Sequence, residues 1–194
     1  MELHGLHHVT AVTGHTARNV AFYTQVLGMR LVKKTVNQDD VAAYHLFYGD
    51  EVGHAGTEVT FFDWPHAIRN RPGAGTIAEI GLRVDGEVTL RWWAERLDNL
   101  GGVHGGVSDH VGRLGLAFAD PEGQHLRLVD DGGAAGGTPW AGGPVPAKMG
   151  IRGLNSVTFD LPRPEATRPC CCRCLASRAG QSTRTYPRVA THTA

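Results

Sequence analysis

Two stretches of the chain repeat the same order of apolar and polar patterns. The first begins with an alternating segment at residues 6–12, which is typical of a half-buried strand. Val20, Tyr23 and Leu27 then recur at helical spacing, and Gly28 is a suitable helix end. Three short segments rich in β-branched and aromatic residues follow, at residues 30–36, 41–48 and 57–62. The pattern predicts a βαβββ module over residues 3–65.

The same order of elements returns after a joint that contains Pro and Gly. The pattern predicts a strand at 77–84, a helix at 88–100 and further strands near 103–107, 113–118 and 125–129. Residues 56–63 align with residues 123–130, with Gly and Asp matched at both ends, so the chain carries an internal repeat. A second βαβββ module is therefore predicted over residues 76–131.

A third unit begins but is not completed. A Gly-, Pro- and Ala-rich segment at 132–150 is predicted to be a linker. Residues 153–158 then repeat residues 5–10 at four of six positions, which predicts the first strand of an incomplete third module at 151–162. The fold class that follows is α+β, with tandem βαβββ modules truncated after two.

The remaining segment, residues 163–194, lacks a hydrophobic period. Leu175 and Val189 are its only Ile, Leu, Val, Met or Phe residues, too few to offset the conformational entropy of ordering. It is predicted to be a disordered, non-native tail. A shifted reading frame after about Leu161 would produce such a composition, and a natural basic tail is the alternative.

Charge changes sign at the same place. The whole chain has 19 basic and 19 acidic residues, which excludes a general attraction to nucleic acid or to an anionic membrane. Residues 1–162 carry 13 basic and 18 acidic groups, whereas residues 163–194 carry six Arg and one Glu. A small neutral partner is therefore the more natural expectation for the first 162 residues.

Cysteine usage and the start of the chain favour a cytoplasmic protein. All four cysteines lie within five residues, at 170, 171, 172 and 174, and no second pair exists to complete a zinc site. Residues 1–162 therefore have no disulfide framework. No apolar run reaches the length of a membrane span, and the first residues do not resemble a signal peptide.

Candidate chemistry lies on the first and last strands of the two modules. His8 shares a strand face with Thr10, while alternation sends the neighbouring His7 to the opposite face. If the modules pair into a cup, His8, Glu58, Glu79 and His125 could line one cavity and hold a divalent cation. The alternative is that Glu58 and Glu79 face solvent on half-exposed strands. His45 is interpreted as a packed, hydrogen-bonded histidine.

Several sequence runs resemble a known superfamily. The Leu-Val-Lys-Lys-Thr-Val-Asn run at 31–37, the Tyr-His-Leu-Phe-Tyr-Gly-Asp run at 44–50 and the His-His pair at 7–8 are typical of one branch. With the repeated βαβββ units, residues 3–162 resemble the vicinal oxygen chelate superfamily of glyoxalase I, bleomycin-resistance proteins and extradiol dioxygenases. The narrower resemblance is to the branch of ring-cleaving hydroquinone dioxygenases, which act in aromatic compound degradation.

This resemblance implies a metal site, a substrate and an oxidant. The branch has four modules and holds Fe(II) with two histidines and one glutamate; His8 matches the metal ligand of the first strand. His7 matches a catalytic residue and Thr10 a substrate-binding residue. The other two metal ligands belong to a fourth module that this chain does not contain. The implied partners are a small aromatic substrate and O2, and we expect this chain to be inactive as a dioxygenase.

Two other functions stay open at this stage. One is a two-module lyase similar to glyoxalase I, which would use His8, Glu58, Glu79 and His125 around Ni(II) or Zn(II). The other is a metal-free protein that binds a small aromatic compound, as bleomycin-resistance relatives do. In either case the unfinished third module is expected to expose apolar surface and to favour a homo-oligomer.

Overall fold

The computed structural model describes residues 5–69, 71, 73–110, 112–163 and 188–190. The first module contains β1 (His8–Thr13), α1 (Thr16–Ala21), β2 (Arg30–Val36), β3 (Tyr44–Gly49) and β4 (Glu58–Asp63). The second contains β5 (Thr76–Val84), α2 (Gly86–Asn99), β6 (His104–Asp109), β7 (Leu114–Ala119) and β8 (His125–Asp130). Then come β9 (Leu154–Asp160) and a short β10 (Arg188–Ala190). Both predicted βαβββ modules are confirmed.

The first sheet has the strand order β1-β4-β3-β2. Strand β1 runs parallel to β4, whereas β3 is antiparallel to both β4 and β2. One face of this sheet is buried, because alternate residues along each strand are apolar. The fully buried residues on that face include Val59, Phe61, Leu46 and Tyr48.

The helical segment of the first module departs from the predicted single helix. Helix α1 ends at Ala21, and Phe22–Val26 continue as a π-helical turn. Tyr23 is fully buried in this turn, where it stacks on Tyr48 with the ring centroids 4.9 Å apart. The wider turn still buries the apolar residues that predict a helix, so the pattern does not distinguish the two helix types.

The second sheet has the order β10-β9-β5-β8-β7-β6. It repeats the pairing of the first sheet, with β5 parallel to β8 and β7 antiparallel to both β8 and β6. Helix α2 buries Leu90, Trp93 and Leu97 against this sheet, and the Trp93 indole Nε1–H donates to the Met149 carbonyl at 2.8 Å. The predicted third-module strand is present as β9.

Strand β9 extends the second sheet, because it pairs antiparallel with β5. Strand β10 pairs parallel with β9. These three residues lie within the segment that the sequence predicts to be a disordered, non-native tail. Residues 164–187 and 191–194 of the same segment lie outside the described residues.

The segment at 132–150 is packed onto the first module. The Glu51 backbone N–H donates to the Thr138 carbonyl at 2.7 Å, and Val145 is buried against Gly28. The two modules are also joined directly, since the Thr13 hydroxyl and the Gly14 backbone N–H both donate to the Glu122 carboxylate. Over the part of the chain described, no helix is both long and apolar enough to cross a membrane.

Candidate functional site

The outer face of the first sheet carries the residues that the sequence singles out. His8 lies opposite Glu58 and Thr10 lies opposite Thr60 across the parallel pair β1 and β4. On the next strand, Phe47 lies opposite Thr60 and His45 opposite Phe62. Alternation places these side chains on the face away from the apolar core. We call the set His8, Thr10, His45, Phe47, Thr60 and Phe62 the histidine face.

His7 and His8 lie closer together than alternation along a strand predicts. Strand β1 begins at His8. His7 therefore precedes the paired residues, and strand alternation does not fix the direction of its side chain. The two Nδ1 atoms are 3.0 Å apart, and the rings meet edge to face with their centroids 5.1 Å apart. The expectation of opposite faces was therefore wrong, and both imidazoles are exposed at the same end of the first sheet.

A chain of hydrogen bonds crosses three strands of the histidine face. The Thr60 hydroxyl, which is fully buried, donates to Thr10 Oγ1 at 2.9 Å. His45 Nε2 lies 3.0 Å from Thr60 Oγ1. Because Thr60 donates to Thr10, the Thr10 hydroxyl hydrogen is left to point toward solvent. The face therefore presents an O–H donor two residues from His8.

His45 lies between two aromatic rings, in surroundings that lower its pKa. Its ring centroid lies 4.1 Å from that of Phe47 and 4.2 Å from that of Phe62. Burial lowers the pKa of His45, and the nearby His8 and Lys33 lower it further by charge repulsion. The interpretation of His45 as a packed, hydrogen-bonded histidine is confirmed, but the same residue also lies on the candidate site.

The proposed four-residue metal site is not assembled in this structure. His8 and Glu58 belong to the first sheet, whereas Glu79 and His125 belong to the second. Glu79 is half-buried and paired with Arg127, whose Nε donates to its Oε1 at 2.8 Å. Throughout residues 5–163, apart from the three that are not described, no three His, Cys, Asp or Glu side chains form a group able to hold a metal ion.

Sequence reasoning missed three members of the histidine face: Phe47, Thr60 and Phe62. The signal was present, because Phe47 alternates with His45 along β3 and Thr60 with Phe62 along β4. A strand that carries large apolar residues on both faces, however, does not reveal which of them face the core. The register with β1 supplies that assignment.

Comparison with known proteins identifies the family. Residues 5–128 match the family model described as the Glyoxalase/Bleomycin resistance protein/Dioxygenase superfamily. The chain is 45% identical over 168 residues to MhqA of Bacillus subtilis, whose name assigns it provisionally to the ring-cleaving dioxygenases. It is 34% identical over 164 residues to the chlorohydroquinone/hydroquinone 1,2-dioxygenase of Sphingobium indicum. The predicted resemblance to this branch is confirmed.

These relatives are longer than the chain. The alignments cover 86% of this chain and 53% of MhqA, and 83% of this chain and 51% of the Sphingobium protein. The chain thus spans about half the length of the curated relatives it matches.

Solved structures agree with the fold. A Bacillus subtilis protein named provisionally as a dioxygenase matches with a TM-score of 0.79 and 34% identity, over 86% of this chain and 53% of that one. A glyoxylase/bleomycin resistance protein/dioxygenase domain from Frankia sp. EAN1pec matches with a TM-score of 0.57 and 14% identity, over 66% of this chain and 98% of that one, which concerns the fold alone. The chain belongs to the Glyoxalase/Bleomycin resistance protein/Dioxygenase superfamily.

Proposed function

We propose that this chain supplies one half of the active site of a non-heme Fe(II) ring-cleaving dioxygenase, and that its histidine face binds a hydroquinone-like aromatic. The observation that carries the proposal is the hydrogen-bonded chain of His45, Thr60 and Thr10, flanked by two aromatic rings beside His8. The name of the Sphingobium relative, which mentions hydroquinone and chlorohydroquinone, supports this substrate class.

Each residue of the face has a role in substrate binding. Phe47 and Phe62 offer ring faces and edges against which a flat aromatic ring packs. The exposed Thr10 hydroxyl donates to an oxygen of the substrate, and the buried Thr60 holds Thr10 in that orientation. Because the single Thr60 hydrogen is donated to Thr10, His45 Nε2 carries the hydrogen at the end of the chain and donates it to Thr60, which fixes the direction of the whole chain.

The metal is expected to be held only partly by this chain. Dioxygenases of this superfamily are metal-dependent, and Fe(II) sites of this kind use two histidines and one carboxylate. His8 is the ligand we assign here, with His7 beside it as the catalytic residue. The described residues do not provide a complete donor set, so no reaction step is derived through iron. We therefore expect the 194-residue chain alone to be inactive.

A binding experiment tests the substrate half of the proposal. Hydroquinone is titrated into the ¹⁵N-labelled chain under argon, with EDTA present, and amide shifts are followed by NMR. We expect shifts along β1, β3 and β4. His45→Ala and Thr60→Val should weaken binding several-fold, whereas His15→Ala, an exposed histidine of the same module, should not. Shifts confined to the second sheet would refute the assignment of the ring to the histidine face.

An activity experiment tests the metal half. Oxygen uptake is measured with hydroquinone and Fe(II), with and without the chain. We expect no uptake above the protein-free control. If oxygen uptake is observed and His8→Ala abolishes it, the chain binds catalytically active iron by itself, and the proposed inactivity is wrong. The lyase has less support, because no three His, Cys, Asp or Glu side chains among the described residues form a group able to hold a metal ion.

A further inference from the structure

A cavity lies over the outer face of the second sheet. Its volume is about 340 Å³, which is within the range of small-ligand pockets. It is walled by β5, β8, β9, residues 54–57 before β4, His110 and Arg113 between β6 and β7, and the segment near residue 136. We call it the arginine cavity, because Arg83, Arg113 and Arg127 line it. None of the histidine-face residues lines this cavity.

The three guanidinium groups of the arginine cavity outnumber its carboxylates. The carboxylates that line it are Glu79 and Asp131. Arg127 is paired with Glu79, and both side chains are largely buried. Arg113 donates to the Asp130 backbone carbonyl at 3.3 Å and has no carboxylate partner within 4 Å among the described residues. The cavity therefore carries positive charge that its own acidic groups do not neutralise.

The wall of the cavity also contains polar atoms without partners. Asp131 Oδ2 and Arg83 Nε are buried and make no hydrogen bond among the described residues, although they lie 3.9 Å apart. The Asp131 side chain is 1% exposed. Buried polar groups are nearly always hydrogen-bonded, so such a pair beside a cavity needs an explanation. The Arg83 guanidinium also donates to the Gly136 and Arg152 carbonyls, so this ion pair is a fixed part of the cavity wall and leaves Arg113 and Arg127 to face a ligand.

The internal repeat shows how this cavity differs from the histidine face. Val9 and Ile80 occupy equivalent buried positions of β1 and β5, so Glu79 takes the position of His8. By the same register, Arg127 takes the position of Thr60 on the last strand of the module. An ion pair therefore stands where the first module has an imidazole and a hydroxyl.

Small residues make room for the arginines. Gly115 and Ala117 take the positions of His45 and Phe47 on the third strand of the module. A Cβ on Gly115 would lie 3.3 Å from Arg127 Cδ, so the missing side chain lets the Arg127 stem lie flat on β7. A guanidinium stays protonated and cannot bind a metal ion, whereas it matches the planar geometry of a carboxylate.

We propose that the arginine cavity is a second, metal-free binding site for a small organic carboxylate, in which Arg113 and Arg127 bind the anion. Arg113 is the group whose charge is free to pair with the ligand, and Glu79 holds Arg127 in place. The site is separate from the proposed aromatic site, so either proposal can fail without the other.

The test is a calorimetric titration of the 194-residue chain with maleate at constant ionic strength. We expect saturable binding in the millimolar range or tighter. Arg113→Gln should weaken it about tenfold, the loss expected for one charge-assisted hydrogen bond. Arg91→Gln is the matched control, because Arg91 is an exposed arginine paired with Glu87 on α2. It should leave maleate binding unchanged.

Three outcomes would overturn the proposal. They are the absence of saturable maleate binding, equal weakening by Arg91→Gln and Arg113→Gln, and competition by inorganic phosphate at lower concentration than maleate. Circular dichroism tests whether the Arg113→Gln variant is folded. If it is not, Arg113→Lys replaces it: this variant keeps the charge but loses the planar pair of donors, and it should bind maleate more weakly than the native chain.

Discussion

Asp50 holds the loop after β3 against the segment that follows the second module. Its side chain is 1% exposed. Oδ1 accepts the backbone N–H groups of Val52, Gly53 and His54 at 3.2, 2.8 and 3.0 Å. Oδ2 lies 2.7 Å from His54 Nδ1 and accepts the Thr138 backbone N–H at 2.9 Å. One carboxylate thus satisfies five donors from two distant parts of the chain.

These contacts determine how much the charge of Asp50 stabilises the fold. Burial alone would raise its pKa, but the hydrogen bonds from His54, Thr138 and Val52 outweigh burial and lower the pKa to about 2. An unperturbed aspartate has a pKa of about 3.9, so the ionised form contributes about 2 to 3 kcal/mol at neutral pH. A lowered pKa means that this stability is present above about pH 4 and is lost as the pH falls toward 2.

Asp50→Asn should therefore lower the free energy of unfolding by about 2 to 3 kcal/mol at neutral pH. The amide keeps one acceptor oxygen, but its NH2 group faces N–H donors. Urea denaturation, followed by tryptophan fluorescence, measures the loss at neutral pH and near pH 3. The difference between native chain and variant should shrink at the lower pH, because Asp50 of the unfolded native chain, with a pKa of about 3.9, is then mostly protonated whereas the folded carboxylate is not.

Asp39→Asn is the matched control, because Asp39 is exposed in the same module. It should change the free energy of unfolding by less than about 0.5 kcal/mol. An Asp50→Asn variant as stable as the native chain at neutral pH would refute the reasoning. So would a difference between native chain and variant that is the same at both pH values.

Two further changes test packing in the same assay. Gly28→Ala should lower the free energy of unfolding by about 1 to 3 kcal/mol, because the residue has a φ of +67° and a Cβ would lie 2.6 Å from Val145 Cγ2. Gly101→Ala is the control: it has a φ of +72° but open space around it, so it should lower the free energy of unfolding by only about 1 kcal/mol. Trp93→Phe should lower the free energy of unfolding by about 1 to 3 kcal/mol, because it leaves the Met149 carbonyl without its indole donor. If the loss is smaller than that of Gly101→Ala, this hydrogen bond does not stabilise the fold as argued.

Most of the fold was predictable from the sequence, because the repeat presents the same pattern twice. The order of strands and helices in both modules follows from local periodicity alone. The pairing of β9 with β5 did not follow, since it joins residues far apart in sequence and depends on where the third module docks. The π-helical turn at Phe22–Val26 was also missed, because it buries the same apolar side chains as an α-helix.

The candidate site was predictable in part, for physical reasons. His8 and Thr10 could be placed on one face, because alternation is reliable within a strand. It fails at a strand end, which is why His7 was assigned to the wrong face. Thr60 and Phe62 could not be assigned, because β4 has apolar or small residues on both faces and only its register with β1 shows which face is open.

The two modules are alike on the core faces of their sheets and differ on the outer faces. Positions on the core face are apolar in both, since each sheet must bury that face to be stable. Positions on the outer face can change without loss of packing in the core. There the first module has imidazole, hydroxyl and aromatic groups, whereas the second has guanidinium and carboxylate groups and glycine. The two proposed sites, one for an aromatic ring and one for an anion, follow this difference between the outer faces. The equivalent core positions are Val9 and Ile80, Leu46 and Leu116, Val59 and Leu126, and Phe61 and Leu128.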